Sequence, residues 1–229
     1  LSVSIANENL AEGVSSKLIQ LTSSMGGEGK SFCSINLAAS LAIGGQKTIV
    51  VGLDLRKPKL AEYFQLSNEV GASSVLAGIC SLSDKITHTS TPGLDVLVAG
   101  PIPPNPSELL MSSALDEMLN NLAEIYDFIV LDTPPIGLVT DSLILAEHAA
   151  TTIYIVRQNV TRYTNLLYLN ELYGDRKIRS VSILLNDIKA NRFGYGYGYG
   201  YGYGYGYGYY HEEKNQSFFE RLLSRIRKR

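Results

Sequence analysis

A glycine-rich loop, SSMGGEGKS at 23–31, lies between a short apolar run and a stretch with helical periodicity. It fits the pattern GxxxxGK[ST] except at its first position, where Ser24 replaces glycine. Backbone N–H groups of such a loop converge on phosphate oxygens, and the following helix adds partial positive charge. Lys30 can reach the β- and γ-phosphates of a nucleotide, and Ser31 can offer its hydroxyl to Mg²⁺. The residues expected to bind the nucleotide here are Ser24, Met25, Gly26, Gly27, Glu28, Gly29, Lys30, Ser31 and Phe32.

Two aspartates follow other apolar runs and can face the same phosphate site. Asp54 lies in VVGLDLRKPKL, directly after the second apolar run. Asp132 ends FIVLD, which has the Walker B form and predicts a carboxylate that holds the Mg²⁺ shell directly or through water. The expected catalytic residues are Lys30, Asp54 and Asp132, and the expected metal-binding residues are Ser31, Asp54 and Asp132.

The segment after Asp132, TPPIGLVTD, is a candidate nucleotide-sensing loop. Its two prolines restrict the backbone, and its glycine can act as a pivot. We expect Pro134, Gly137 and Asp141 to be its key residues.

A scaffold that brings these loops together can be read from the surrounding pattern. Apolar runs rich in β-branched residues predict strands at 17–22, 48–53, 94–99, 128–131, 152–156 and 181–185, and helical periodicity predicts helices at 30–43, 114–125, 141–146 and 161–172. Strands that are apolar throughout and alternate with helices indicate a mostly parallel sheet covered on both faces. We therefore expect a doubly wound α/β domain of the P-loop NTPase type, with ligands at the carboxyl ends of its strands and a flexible C-terminal tail.

Charge and composition narrow the function classes. The chain has 229 residues, 45% of them hydrophobic, which suits one α/β domain with an appendage. Residues 1–193 carry 14 basic and 19 acidic side chains, a net charge of −5. Nucleic-acid binding needs a concentrated basic face, so we expect no nucleic-acid partner.

The cysteines and the first residues of the sequence do not indicate a catalytic or metal site. Cys33 and Cys80 show no CxxC motif and no histidines at metal spacing, so we interpret them as apolar fillers of a reduced, intracellular protein. No apolar run reaches the roughly 20 residues that a membrane-spanning helix needs. Residues 1–16 form a polar lead that resembles the middle of a longer polypeptide.

A run of alternating glycine and tyrosine occupies 194–210, beyond the domain predicted at 17–193. Alternate glycines predict a mobile tether whose phenol groups are offered to solvent. Taken alone, the run fits a low-complexity adhesive as well as a substrate. The candidate phosphoacceptors are Tyr195, Tyr197, Tyr199, Tyr201, Tyr203, Tyr205, Tyr207, Tyr209 and Tyr210.

The last segment, 211–229, predicts a basic amphipathic helix. Phe218, Leu222 and Ile226 share one helical face, and the segment has a net charge of +3. Such a helix suits an anionic membrane surface, the domain itself or a partner, and the pattern does not choose among them.

Together these motifs carry a family resemblance. The segments SSMGGEGKS, LDLRKP, VAGPIPPNPSELL, VLDTPPIGLVTD and the terminal tyrosine cluster resemble, in this order, the bacterial tyrosine kinases of capsular and exopolysaccharide export. The resemblance implies ATP and Mg²⁺ as cofactors and autophosphorylation of the tyrosine cluster, by one subunit in the site of another. It also implies a homo-oligomer, a membrane adaptor or fused membrane domain, a cognate tyrosine phosphatase and a location on the cytoplasmic side of the bacterial inner membrane. By resemblance, Asp54 is the second carboxylate of the Walker A′ segment and Asn186 is similar in place to the asparagine that reads adenine.

The chain departs from the family pattern at two places. The Walker A′ pattern is DxDxR, but Gly52 stands at its first position, so that the role of this carboxylate passes to Asp54, to water, or is dispensable. An ExxRxxR spacing, which joins subunits into a ring in relatives, does not occur between Leu1 and Lys17.

Two other functions fit parts of the chain. A MinD/ParA-like ATPase switch shares the phosphate loop and sometimes ends in a membrane-binding helix, but Met25 stands where those proteins carry a lysine. A structural adhesive with a vestigial loop leaves Lys30, Ser31, Asp54 and Asp132 unexplained.

Overall fold

The computed structural model describes residues 15–178 and 180–189, with side chains from Leu18 onward. The chain divides into two units, Leu1–Ile188 and Lys189–Arg229, and the fold below is that of the first. The strands are β1 Ser15–Ser23, β2 Thr48–Gly52, β3 Thr87–His88, β4 Leu94–Leu97, β5 Phe128–Asp132, β6 Ala149–Arg157 and β7 Val181–Asn186. The helices are α1 Lys30–Ile43, α2 Leu60–Phe64, α3 Ala72–Leu76, α4 Pro106–Leu110, α5 Ser113–Ile125, α6 Asp141–His148 and α7 Tyr163–Gly174.

The strands form one seven-stranded sheet in the order β3-β4-β2-β5-β1-β6-β7. All neighbouring pairs are parallel except β3 with β4, which is antiparallel. The central strands β1, β2 and β5 therefore end at the same edge of the sheet. The predicted phosphate loop follows β1 at this edge, Asp54 follows β2, and Asp132 is the last residue of β5. This arrangement confirms the predicted doubly wound, mostly parallel sheet.

Alternation along β2 and β5 places successive side chains on opposite faces of the sheet. Ile49, Val51, Ile129 and Leu131 are fully buried and pack against one side of the domain. That side is covered by Leu115, Met118, Leu119 and Leu122 of α5. Val50, Val130 and Asp132 lie on the opposite face, which α1 covers. The strand β5, which ends at the predicted Walker B residue Asp132, is therefore buried on both faces.

A smaller hydrophobic cluster packs beside β6, away from the main core. Ile136, Tyr154, Leu169, Leu172 and Ile178 are buried together, joining the loop after β5 to β6 and α7. Within the described residues, none of the helices has the length and apolarity that a membrane span requires.

Candidate functional site

The predicted phosphate loop connects β1 to α1. Gly27 and Gly29 have φ values of 83° and 99°, in the left-handed region that favours glycine. Gly29 caps α1, and a Cβ atom at this position would collide with the side-chain amide of Asn186. Lys30, Ser31 and Phe32 form the first turn of α1. The fold thus brings the nine predicted loop residues into one strand-to-helix turn.

Asp132 meets the loop from the end of β5. Its side chain hydrogen-bonds to the Ser31 hydroxyl and accepts a hydrogen bond from Ser34 Oγ to Oδ1 at 3.3 Å. Burial raises the pKa of Asp132 to about 6, against the hydroxyl hydrogen bonds and the charge of Lys30, which favour the ionised form. A buried carboxylate with a raised pKa beside a hydroxyl is a position that a cation would stabilise.

Lys30 lies among carboxylates at the start of α1. Only 9% of its surface is exposed. Burial lowers the pKa of its ammonium group, and the negative charges of Asp132, Asp54 and Glu28 oppose this shift. The predicted triad of Lys30, Asp54 and Asp132 is therefore one electrostatic cluster.

Asp54 follows β2 in a tight turn. Its Oδ1 atom accepts hydrogen bonds from the backbone N–H groups of Arg56 at 3.3 Å and Lys57 at 2.9 Å. The backbone N–H of Asp54 donates to the carbonyl oxygen of Asp132 at 3.0 Å. These contacts hold Asp54, the predicted second carboxylate of the Walker A′ segment, beside the end of β5.

Gly52, at the first Walker A′ position, lies in a packed environment. It pairs with Asp132 in the β2–β5 register. A Cβ atom at Gly52 would lie 3.0 Å from the backbone nitrogen of Ala99 and 3.3 Å from Cδ1 of Leu60. A side chain at position 52 therefore needs Ala99 and Leu60 to shift by a few tenths of an ångström.

The predicted sensing loop folds back on the phosphate loop. Ile136 N–H donates to the carbonyl oxygen of Ser23 at 2.8 Å. A Cβ atom at Gly137 would lie 2.5 Å from the carbonyl oxygen of Ser24, so only glycine allows this approach. The carbonyl oxygen of Pro134 accepts a hydrogen bond from Thr22 Oγ1 at 2.8 Å, inside the core.

Asp141, the last predicted sensing residue, is fully buried at the start of α6. Arg56 donates to its two carboxylate oxygens at 2.8 and 3.1 Å, and Ser107 Oγ donates to Oδ1 at 2.7 Å. Burial alone would raise the pKa of Asp141, but the hydrogen bonds from Arg56 and Ser107 hold it below its usual value. Arg56 and Ser107 thus join the Walker A′ turn and α4 to the sensing loop, a link that sequence reasoning missed.

Glu28 has a structural role that the sequence pattern did not indicate. Its side chain is fully buried and accepts hydrogen bonds from Met25 N–H and Ser24 Oγ at 2.8 Å each, and from the Thr161 hydroxyl. Arg157 Nη1 donates to the carbonyl oxygen of Gly27 at 2.6 Å. The phosphate loop is therefore held in shape by its own carboxylate, by Arg157 at the end of β6 and by Thr161 before α7.

Asn186, predicted to read the base, ends β7 beside the same loop. Its amide nitrogen donates to the carbonyl oxygen of Glu28 at 3.0 Å. Asp187 follows it and pairs with Arg157 at 3.1 Å. The amide is therefore placed at the start of α1, on the β7 side of the phosphate loop.

Several predicted segments lie outside the described residues. They are the polar lead up to residue 14, the nine candidate phosphoacceptors of 194–210 and the basic segment 211–229.

The donor set suits magnesium. Ser31, Asp132 and Asp54 offer only oxygen, which this ion prefers, and magnesium sites commonly combine one or two carboxylates with phosphate and water. In the described part of the chain no three His, Cys, Asp or Glu side chains form a metal cage by themselves. The oxygen donors present therefore fit a Mg²⁺ that a nucleotide shares.

Comparison with known proteins gives one family match and many relatives. Residues 16–165 match the family model described as AAA domain. The chain is 36% identical to the tyrosine-protein kinase YwqD of Bacillus subtilis, over 78% of this chain and 77% of that protein. It is also 36% identical to the tyrosine-protein kinase ptk of Acinetobacter johnsonii, over 73% of this chain but only 23% of the length of that relative.

Solved structures show the same fold. The kinase domain of Escherichia coli tyrosine kinase ETK superposes with a TM-score of 0.73 at 32% identity, over 81% of this chain and 73% of that one. The septum site-determining protein MinD of Pyrococcus horikoshii superposes with a TM-score of 0.62 at 23% identity, over 74% and 69% of the two chains. The second likeness concerns the fold alone.

Proposed function

The chain belongs to the AAA-domain family and to the bacterial tyrosine-protein kinases, and from this premise we propose that it transfers the γ-phosphoryl group of ATP to the phenol oxygen of tyrosine. The membership confirms the resemblance drawn from the sequence motifs. The observation that carries the proposal is the meeting of Ser31 with Asp132, beside Lys30, at the carboxyl ends of β1 and β5.

Phosphate binding falls to the loop and Lys30. The backbone N–H groups of the loop and the N-terminus of α1 favour an anion at this position. The ammonium group of Lys30 lies among the carboxylates of Asp132, Asp54 and Glu28. When a nucleotide binds, this group would interact with the β- and γ-phosphates as well. Glu28 supports this role by holding the loop in shape through Ser24 and Met25.

Magnesium binding falls to Ser31 and Asp132, with Asp54 at the edge of the shell. When bound, Mg²⁺ would supply positive charge that stabilises the negative charge developing on the phosphates. Asp132 must be ionised for this role, and a dication favours that form of a buried carboxylate. Asp54 keeps its Oδ2 oxygen for water of the shell or for the acceptor, since Oδ1 accepts two backbone N–H groups.

The transfer itself demands little of a general base. The bond between the γ-phosphorus and the β–γ bridging oxygen breaks to leave ADP, and a bond forms to the phenol oxygen, whose proton passes to Asp54 or to water. The transition state is loose, so positioning and charge stabilisation dominate. A site that carries Gly52 in place of the first Walker A′ aspartate is compatible with this chemistry.

Two further elements complete the proposed nucleotide site. We assign reading of the nucleotide base to Asn186, whose amide lies beside the start of α1. We assign sensing of the γ-phosphate to the segment from Pro134 to Asp141, because Gly137 packs directly on Ser24.

The acceptors that we propose are the nine tyrosines of 194–210, modified in the site of another copy. A copy held beside a partner sees the tail at roughly millimolar effective concentration, which favours transfer between subunits. Each phosphate adds about −1.5 to −2 charge. Because residues 1–193 already carry a net charge of −5, repeated phosphorylation would make neighbouring copies repel one another and loosen a homo-oligomer.

We place this activity in the assembly and export of capsular or extracellular polysaccharide. The support is the family resemblance, which implies a membrane adaptor or a fused membrane domain, a tyrosine phosphatase that reverses the modification, and a position on the cytoplasmic side of the inner membrane. Binding of the chain to such a membrane partner by co-purification, and its loss on exhaustive phosphorylation, would test this setting.

The proposed activity is tested by incubating the chain with Mg-ATP and examining the tail by mass spectrometry. Phosphate on tail tyrosines supports a tyrosine kinase. Hydrolysis of ATP with an unmodified tail would instead support an ATPase switch of the MinD type.

A further inference from the structure

The motif PPNPSELL, at residues 103–110, lies outside the nucleotide and metal sites assigned above. Its second half forms α4, and Ser107 is the second residue of this helix. The hydroxyl group of Ser107 is hydrogen-bonded to Arg56 of the Walker A′ turn and to Asp141 at the start of α6. The motif is therefore connected to the phosphate site through this hydroxyl group.

Neighbouring residues fix the start of α4. Pro106, at the first position of the helix, has a restricted φ and no backbone N–H group that needs a partner. The side chain of Asn105 donates to Glu108 Oε2 at 2.7 Å across the first turn. Leu110, at the other end of the helix, is 1% exposed and packs in the main core. These contacts hold Ser107 in place independently of its own hydrogen bonds.

Ser107, Arg56 and Asp141 form a closed ring of hydrogen bonds. Ser107 Oγ donates to Asp141 Oδ1 at 2.7 Å and accepts a hydrogen bond from Arg56 Nη2 at 2.9 Å. Arg56 Nε and Nη2 donate to the two carboxylate oxygens of Asp141 at 2.8 and 3.1 Å. A hydroxyl group can donate and accept at the same time, so the ring requires one at position 107. The side chain of Asp141 is 0% exposed and that of Arg56 is 39% exposed, so the buried members of the ring hold the guanidinium group.

The backbone of Arg56 holds the carboxylate of Asp54. The N–H groups of Arg56 and Lys57 donate to Asp54 Oδ1 at 3.3 and 2.9 Å. The N–H group of Asp54 donates to the carbonyl oxygen of Asp132 at 3.0 Å. When the side chain of Arg56 is fixed, the turn that carries these N–H groups is fixed as well, and with it the direction of the Asp54 carboxylate.

We propose that Ser107 is a positioning residue that orients the Asp54 carboxylate for phosphoryl transfer, and that it acts through Arg56. The contacts run from Ser107 Oγ to the guanidinium group of Arg56, and from the backbone of Arg56 to Asp54 Oδ1. The inference rests on the proposed kinase function, because it assigns a positioning role in that same site. A misplacement of about 1 Å can lower a rate by about 10²-fold, so the loss of this hydroxyl group should be visible in kcat.

The test measures initial rates of tail phosphorylation by the full chain, at one fixed protein concentration and varied Mg-ATP. We expect Ser107→Ala to lower kcat about fivefold or more. The KM for ATP should change less than about twofold, because Ser107 contacts Arg56 and Asp141 rather than the phosphate loop. Ser107→Thr keeps the hydroxyl group and should keep kcat within about twofold of the parent value. The matched control is Ser113→Ala, which removes a hydroxyl group from the exposed first residue of α5 and should behave like the parent chain.

A double variant separates positioning of Asp54 from a general loss of stability. In the Asp54→Asn background, Ser107→Ala should lower kcat no further, because the carboxylate that it orients is already gone. The same fractional loss of kcat in both backgrounds would overturn the inference, as would an unchanged kcat in Ser107→Ala alone. Urea unfolding of each variant shows that the rates compare folded proteins.

Binding of fluorescent ADP gives a second readout that does not depend on phosphate transfer. Because Asp54 lies at the edge of the proposed Mg²⁺ shell, Ser107→Ala should raise the Mg²⁺ concentration for half-maximal binding about threefold or more, and Ser113→Ala should not. A parent chain that transfers no phosphate to tyrosine would refute the proposed function, and this binding would then decide about Ser107. If Asp54→Asn abolishes transfer, the two backgrounds are compared by the same measurement. Equal Mg²⁺ dependence in Ser107→Ala and Ser113→Ala would exclude the positioning role.

Discussion

The backbone N–H of Asp54 donates a hydrogen bond to the carbonyl oxygen of Asp132 at 3.0 Å. Leu53 donates to the same oxygen at 2.9 Å. Both bonds end on one carbonyl oxygen, just beyond the last β2–β5 pair, Gly52 with Asp132, and hold Asp54 beside the end of β5 before any ligand binds. Changes that displace one strand end should therefore disturb both carboxylates.

Introducing the first Walker A′ aspartate by Gly52→Asp should destabilise the protein. The new side chain meets the backbone of Ala99 and the side chain of Leu60, and overpacking of this kind costs about 1–3 kcal/mol. Urea unfolding measures the loss. The control is Gly174→Asp, where nothing lies within 4 Å of a Cβ atom. Equal stability of Gly52→Asp and the unmodified chain would show that the pocket around position 52 can open.

Gly137→Ala should uncouple the sensing loop from the phosphate loop. A methyl group 2.5 Å from the carbonyl oxygen of Ser24 forces one of the two segments to move. Because the proposed transfer depends on positioning, we expect kcat for tyrosine phosphorylation to fall about tenfold or more. Steady-state kinetics with Gly174→Ala as the matched change provide the comparison. A kcat within twofold of the parent value would refute the assignment of this contact.

Glu28→Gln should weaken nucleotide binding. The amide keeps one acceptor oxygen but presents an NH₂ group to Met25 N–H or to the hydroxyls of Ser24 and Thr161, so part of the network is lost. We expect the Kd for Mg-ADP to rise about tenfold, equivalent to about 1.4 kcal/mol. Titration calorimetry measures it, with the exposed Glu147→Gln as control. Identical affinities in the two variants would contradict a role for Glu28 in shaping the loop.

The ion pair of Asp141 with Arg56 should give stability that depends on pH. The pKa of Asp141 is lowered in the folded protein, so its ionised form stabilises the fold at pH values above the ordinary pKa of 3.8. This contribution is lost as the pH falls below that value and the carboxyl group becomes protonated.

Asp141→Asn removes the charge and keeps the shape. Since Arg56 is partly exposed, we expect the variant to lose about 1–2 kcal/mol at neutral pH, less than for a fully buried pair. Urea unfolding at several pH values should show this difference shrinking below pH of about 4. If the difference in free energy of unfolding between the parent chain and Asp141→Asn stayed constant down to pH of about 3, the charge of Asp141 would not contribute to stability.

Local signals predicted much of the sheet and the phosphate loop. The helix expected at 30–43 is confirmed to the residue, because the loop glycines and the Gly44–Gly45 turn mark both of its ends. The helix at 161–172 begins later, at Tyr163, since Thr161 serves as a hydrogen-bond partner of Glu28. The strand expected at 94–99 ends at Leu97, where pairing with β2 stops.

Other features depended on contacts that no local pattern reveals. The helices α2, α3 and α4 have five residues each, too few to show helical periodicity, and the antiparallel β3 has two. The bonds of Arg56 and Ser107 to Asp141 join positions 85 and 34 residues apart in the chain. Such links follow from the crossovers of the sheet and become visible only when its strand order is known.

The most direct test of tyrosine kinase activity is phosphate on the tail in the presence of an intact Lys30. We expect mass spectrometry after incubation with Mg-ATP to find phosphate on tyrosines between Tyr195 and Tyr210, and to find none in Lys30→Met, whose loop lacks the ammonium for the β- and γ-phosphates. Lys47→Met, remote in sequence from the loop, is the matched control and should be phosphorylated normally. An unmodified tail in the parent chain, or equal modification in Lys30→Met, would contradict the proposed function.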